Sequence, residues 1–506
     1  MNDNLKLHSD LKLNLDGIRT GVGGSDDLII RELRIGPDHS VLIAVLYIDG
    51  LTEEKSIHQF ILEPLIAHGT SEGEPEDWPL LDRLKNSVLT VGQLQEVDGQ
   101  DAVLDALMNG YVVLLPDGHA RGLQISMAGW EQRAVSEPVN QTVIRGPKEA
   151  FTENIRVNTA LIRRIIKTPK LLLKNQRIGR VTHTNVSIMY IEGIASEIAL
   201  NELTERLARI DTDSILESGY IEEFIQDETY TLFPTVQNTE RPDTVAASLL
   251  EGRIAILIDG TPHVLIVPAL FVQFFQSAED YYQRADISTL LRMLRYLCLF
   301  IATLVPALYI AVSTFHQEML PTPLLISLGA QREGVPFPTF IEAMVMEATY
   351  EILREAGIRM PRAVGQAVSI VGTLVIGQAA VEAGIISAAM IIIVSITAIS
   401  SYVIPEFGMS IAVRIIRFLF MGLAAAFGMY GIFLGIAALI LHLSSLSSFG
   451  VPYMTPIGPV VRSDLKDVLV RVPRPSMTKR PGIFAKLNPI RGRQPSAGQG
   501  KKRGRP

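Results

Sequence analysis

RAVGQAVSIVGTLVIGQAAVEAGIISAAMIIIVSITAISSYVIPE, residues Arg362 to Glu406, decides what kind of protein this is. Glu382 is the one formally charged side chain between those two ends, and the rest is mostly Ile, Val, Ala, Gly, Ser and Thr. A run this long with one charge is not a soluble surface. At about 1.5 Å per helical residue it is long enough to cross a bilayer of about 30 Å twice, with the turn near Glu382–Gly384. The spans expected here are roughly Val364–Val381 and Ile385–Ile404. Gly365, Gly372 and Gly377 lie along the first and Gly384 at the turn, small residues that let helix backbones pack closely. Gln366, Gln378 and Glu382 are the larger polar groups. Glu382 reads either as marking an interfacial turn or as facing a pore, since an ionised group inside a bilayer faces protein or water.

Two more spans flank this stretch. Tyr296–Phe315 is twenty uncharged residues containing Pro306, whose missing N–H frees a carbonyl for a neighbour to satisfy. Arg292 and Arg295 before it favour a cytoplasmic N-terminal side. Phe418–Leu441 follows Arg414 and Arg417. Met319–Ala330, with two prolines, is too short for an ordinary span and reads as re-entrant or interfacial. Val335–Gly357 carries Ile341, Val345, Ala348 and Ile352 as an apolar stripe and Glu347, Glu351 and Glu355 at i, i+4, i+8. One reading is an interfacial helix with a solvated acidic face. The other is a row of carboxylates lining a cation vestibule in a ring of subunits. Four spans place both termini on one side, the cytoplasm. A fifth at Met319–Ala330 breaks that parity and ranks second.

Residues 1–290, ahead of the first span, are of mixed composition and contain a duplication. Arg34-Ile35-Gly36 recurs as Arg177-Ile178-Gly179, and Tyr47-Ile48-Asp49-Gly50 as Tyr190-Ile191-Glu192-Gly193, both at an offset of 143. Gly110–Gly118 matches Gly252–Gly260 at 142. A weaker match pairs the stretch from Glu149 with that from Glu279 at 130. Each copy reads as a β-rich run, a helix (SIHQFILEPLIAH; EIALNELTERLARI, with Ile198, Leu203, Leu207 and Ile210 on one face) and a hairpin at Asp-Gly. The apolar run Ile254–Phe275 contains one such turn and therefore reads as a hairpin, not a span.

The expected organisation is a flexible segment 1–27, α/β (α+β) modules at 28–150 and 151–278, and a linking helix at 279–295. A transmembrane bundle at 296–445 and a membrane-proximal loop with a basic tail at 446–506 complete it. The helix from Glu279 to about Tyr296 is expected to close copy two and run into the first span, so Asp280, Tyr281, Tyr282, Arg284 and Arg292 are candidates for mechanical coupling.

Enzyme chemistry finds no support. Gly21–Gly24 lacks the Gly-Lys-Ser/Thr ending of a phosphate loop and reads as a linker. The nine His are scattered, with no metal spacing and no nucleophile elbow. No cofactor or metal is expected. One cysteine, Cys298, excludes an intramolecular disulfide framework. The opening MNDNLKLHSDLKLN has no apolar core, so no cleavable signal peptide is expected. The net charge of −7 conceals a tail from Arg462 that carries +11, leaving −18 for the rest. That tail reads as a polybasic segment for anionic lipid rather than for nucleic acid, although KKRGRP has the look of an AT-hook core.

EDYYQRADISTLLRMLRYLCLF, LPTPLL, the block from Val335 to Ser387 and FGVPYMTPIGP resemble the A subunit of GerA-type spore germinant receptors. The likeness extends from about Leu28 to Pro481. It implies a multi-pass protein of the spore inner membrane with a two-part hydrophilic region. It further implies homo-oligomerisation into an ion channel for signal transduction in spore germination. The implied partners are a permease-like B subunit and a lipoprotein C subunit. A stage V sporulation AF-like accessory of dipicolinate release, a product of sporulation, is a related alternative.

Overall fold

The computed structural model describes residues 6–35, 41–68, 80–127, 138, 141–361, 377–485 and 488–492. The chain divides into two compact units, one of Met1–Gln226, Val236–Pro268 and Met477–Pro506, the other of Asp227–Thr235 and Ala269–Ser476.

The first unit holds the duplication. Copy one runs α1 (Leu11–Gly21), β1 (Leu28–Ile35), β2 (Val41–Ile48), α2 (Glu54–Ile57, continuing through a widened turn His58–Leu62 to Glu63–His68), α3 (Leu80–Arg83), β3 (Leu94–Val97), α4 (Gln100–Met108), β4 (Tyr111–Pro116) and β5 (Gly122–Ser126). Copy two runs α5 (Ile155–Ile165), β6 (Leu171–Ile178), β7 (Thr184–Ile191), α6 (Glu197–Ala208), α7 (Ser218–Ile225), β8 (Gln237–Thr239), α8 (Pro242–Glu251), β9 (Ile254–Ile258) and β10 (Val264–Val267). The two five-stranded antiparallel sheets share one order, β1-β2-β4-β5-β3 and β6-β7-β9-β10-β8. Leu28 faces Ile48 as Leu171 faces Ile191, so the 143-residue offset is also the structural register. Alternation does the layering in copy one. Ala44, Leu46, Val113 and Leu115 face α1 and α4, while Ile43, Val45, Val112 and Leu114 face α2 and α3.

Several expectations change here. Of the segment expected to be flexible, 1–27, the described residues 6–27 are ordered, because α1 occupies Leu11–Gly21 and buries Leu11, Leu15 and Ile18. Each copy opens with its helix, and α5 is the counterpart of α1. The match at offset 130 is therefore not part of the duplication. The Asp-Gly turns start these helices: Asp117 accepts the Leu11 N–H at 3.1 Å and Asp259 that of Ile155 at 3.2 Å. Gly118 and Gly260 supply the positive φ, 81° and 91°. Gly21–Gly24 is no linker either. The chain turns through Gly23 against Leu172, and residues 24–26 bond along β6. Arg163 of α5, 2% exposed, then closes on Asp27 of copy one and on Ser25 at 3.0 Å. In α6 Leu203 and Leu207 are buried, but Ile198 is 71% exposed. The basic tail is folded in part. Arg480 donates to the Leu250 carbonyl at 2.9 Å, and Arg491 pairs with Glu251 at 2.6 Å, both at the C-terminal end of α8. Arg480 and Arg491 thus meet protein where a lipid-binding tail was expected.

The second unit is helical: α9 (Ala285–Thr314), α10 (Thr322–Arg332), α11 (Thr339–Arg359), α12 (Ala388–Tyr402) and α13 (Phe407–Ser445). Its core joins Ala302, Ala307 and Ile310 of α9 to Met346 of α11, Val394 of α12, and Ile416 and Phe420 of α13. By length and composition α9 and α13 are long and apolar enough to cross a membrane. Yet α13 is not one rod. Gly428 has φ 59° and ψ −138°, and a Cβ at Gly435 would lie 2.7 Å from the Phe420 ring. A straight helix would separate those residues by about 22 Å. The chain folds back at Gly428, so residues 407–427 and 429–445 are two limbs of a hairpin. The uninterrupted span expected at Phe418–Leu441 is thereby corrected. Pro234 lies against Gly408, and Thr231 meets His442 at 2.9 Å, so both ends of the hairpin reach one segment. Its tip lies against Phe315, where α9 ends.

The span expected at Val364–Val381 lies mostly outside the described residues, as do Gly365, Gln366 and Gly372. In place of the span at Ile385–Ile404, α12 has 15 residues. Met319–Ala330 becomes α10, an 11-residue helix with no buried residue.

Candidate functional site

Two charged clusters inside the helical unit are the candidate site. The first is at the start of α9. Ser277 caps a 3₁₀ turn, Ala278–Tyr281, and α9 begins only at Ala285. The linking helix expected from Glu279 is therefore two elements, with Asp280, Tyr281 and Tyr282 at the turn. Asp280, 2% exposed, receives Arg292 at 2.9 Å and Arg295 at 2.8 Å. Arg292, fully buried, also pairs with Asp467 at 2.7 Å, and the Tyr281 hydroxyl donates to the same Asp467 at 2.6 Å. Arg284 stays outside and pairs with Asp286 at 3.0 Å. Asp280, Tyr281 and Arg292 thus come together. Asp467 was missed; its signal in the sequence was that it and Asp464 are the two acids in the basic stretch from Arg462.

The second cluster lies along α11, which is inside out. Ile341, Val345, Ala348 and Ile352, its apolar stripe, are exposed, while Glu342 and Glu347 are 1% and 0% exposed. The solvated acidic face expected for this helix is corrected accordingly. Glu347 pairs with Arg417, also fully buried, and Arg417 Nε donates to the Ala302 carbonyl at 2.8 Å. Pro306 has no N–H for that carbonyl, so the arginine satisfies the acceptor that the proline frees. Glu351 pairs with Arg414 at 3.3 Å. Arg414 and Arg417, read as residues preceding a span, stand within the hairpin's first limb. The Arg354 guanidinium sits 4.9 Å from the Tyr402 ring centroid. Glu355 is exposed and pairs with Arg359 of its own helix.

Glu342 was missed. It accepts from the Ser387 N–H at 3.1 Å and hydroxyl at 2.9 Å, at the start of α12, and pairs with Arg332 at 3.5 Å. Its place on the same face as Met346 and Glu347 was the available signal. Glu382 is exposed at the turn and accepts from Gln378 at 2.9 Å. Gly377 is buried, with Ile391 3.9 Å from where its Cβ would lie, and Gly384 takes φ +64° in the turn. Among the described residues no group of three His, Cys, Asp or Glu is arranged to hold a metal.

The family model for the Bacillus/Clostridium GerA spore germination protein matches residues 16–483. Spore germination protein KA of Bacillus subtilis is 50% identical over 481 residues, 95% of this chain and 88% of the relative. Spore germination protein B1 of the same organism is 39% identical over 481 residues, 94% and 98%. The crystal structure of the N-terminal domain of the A subunit of the Bacillus megaterium spore germinant receptor GerK3 is 41% identical, covers 53% of this chain and 99% of that one, and superposes with a TM-score of 0.43. A relative half identical over nearly the whole length, together with the family match, leads to one conclusion: this chain belongs to the GerA family of spore germination proteins.

Proposed function

We propose that the chain is an integral membrane subunit of a nutrient receptor that triggers spore germination. Its helical unit forms, as an oligomer, a germinant-gated path for monovalent cations, and it works with the permease-like and lipoprotein subunits that the resemblance implies. It is not an enzyme. The observation that carries the membrane part is α11: its outward side is Ile341, Val345 and Ile352 and its inward side is charged. In water that arrangement exposes the wrong face. In lipid it is the stable one, because buried charges pair inside and apolar side chains meet acyl chains. In this reading α9, both limbs of the α13 hairpin and one further stretch between α9 and α13 cross the bilayer, four crossings that leave both termini on the cytoplasmic side. A partner's nutrient-bound state biases the α9 start, where Asp280, Arg292 and Asp467 meet, toward an open arrangement by a differential free energy.

Spores carrying Glu351→Gln or Glu382→Gln are the test. Slowed nutrient-triggered release of monovalent cations at normal protein levels supports the path, and an oligomeric ring in detergent supports its assembly. The pairing of Glu347 and Glu351 with arginines favours a second reading, a non-conducting scaffold. Unchanged release in both variants selects it.

A further inference from the structure

The carboxylate row of α11 and the arginines of α13 are in register. Glu347 meets Arg417, and one turn along Glu351 meets Arg414. Arg417 is held by two oxygen groups at once, the Glu347 carboxylate and the Ala302 carbonyl left free by Pro306. The Glu347–Arg417 pair is sealed from solvent and the Glu351–Arg414 pair is partly buried, and yet the groups are not saturated. Glu347 Oε1 and Arg417 Nη2 are buried with no hydrogen-bond partner among the described residues, as are Glu351 Oε1 and Arg414 Nε. An interior ion pair retained for stability alone satisfies its remaining atoms, since an unmatched buried polar atom is costly.

We infer that Glu347, Glu351 and the Ala302 carbonyl form a site for a small monovalent cation, and that Arg417 is a tethered cation occupying that site in this conformation. The donors are hard oxygens, suited to an alkali ion. Exchanging a guanidinium for an alkali ion keeps the buried charge balance, whereas losing the arginine without replacement leaves a carboxylate unpaired. Movement of the first limb of α13 away from α11 withdraws Arg417 and Arg414 together and uncovers the row. As a gating device the site rests on the cation-path reading; as a binding site it does not.

The test uses the purified full-length chain in detergent, melted in potassium chloride and in N-methylglucamine chloride at equal ionic strength. Wild type is expected to melt alike in both, because Arg417 fills the site. Arg417→Gln is expected to gain a potassium-specific, saturable rise of several degrees, and Glu347→Gln/Arg417→Gln to lose it. Equal melting of Arg417→Gln in the two salts, or a potassium effect that survives in the double variant, overturns the inference. If Arg417→Gln folds only in potassium, that rescue supports it. If it folds in neither, Arg414→Gln beside Glu351 must show the potassium-specific rise, and its absence counts against the site. A potassium effect in these melts without nutrient-triggered cation release in spores keeps the site and removes the channel.

Discussion

Arg417 donates its Nε–H to the carbonyl oxygen of Ala302 at 2.8 Å, four residues before Pro306 in the same helix. A proline's vacant acceptor, an arginine and a buried glutamate therefore join α9, α13 and α11. Removing the arginine alone, as Arg417→Ala, strands Glu347 and should lower stability by about 3–5 kcal/mol. Replacing both charges with apolar groups, as in Glu347→Leu/Arg417→Met, should recover most of that loss. Thermal melts of the full chain in detergent measure both. A double variant no more stable than Arg417→Ala would show that Glu347 is not what the arginine neutralises.

At the base of α9, Asp280 and Asp467 share Arg292. Asp280→Asn and Asp467→Asn should not be additive. A double-mutant cycle on melting should show coupling of about 0.5–3 kcal/mol. Additive losses would mean that the two acids act separately and that the turn is not one charged unit.

The two copies are joined by Arg163 and Asp27, both nearly sealed from water. Arg163→Ala leaves Asp27 without its cation, again at about 3–5 kcal/mol. Hydrogen exchange should quicken first along β6 and residues 24–28. Unchanged protection there would contradict the clamp.

Burial pushes the Glu222 carboxyl of α7 up to about 7 from 4.5; Glu217 and Glu223 add to the rise, and a hydrogen bond with Asn238 opposes it. Because the folded pKa lies above the unfolded one, the neutral acid favours the fold at low pH. Its contribution is present below about 4.5 and is lost as pH rises through about 7. Glu222→Gln should therefore stabilise α7 at pH 8 and change little at pH 4, read by hydrogen exchange over Ser218–Ile225.

The duplication was legible because its repeated motifs mark strand ends and turns. Arg34-Ile35 closes β1 as Arg177-Ile178 closes β6, and each Asp-Gly needs a glycine at positive φ. The first helix was legible in principle, since Asp10 precedes Leu11, Leu15 and Ile18 at helical spacing, but short polar interruptions hid it. The orientation of α11 was not legible. A helical period marks two faces and says nothing about which solvent each one meets. The fold-back of α13 was equally hidden, because Gly422, Gly428, Gly431 and Gly435 look alike in sequence and one of them turns the chain. Pairing Arg417 with Glu347 needed both facts.

The direction in which α11 faces decides whether its charged side is the interior one. With Cys298 replaced by serine, cysteines placed singly at Val345 and Ile352 can be exposed to a membrane-impermeant maleimide in intact membranes. Both sites are exposed in the isolated chain, 44% and 69%. Protection in membranes with ready labelling after unfolding is the predicted result. Rapid labelling of both in intact membranes would mean that this face meets water, and that the charged interior of α11 has been assigned to the wrong solvent.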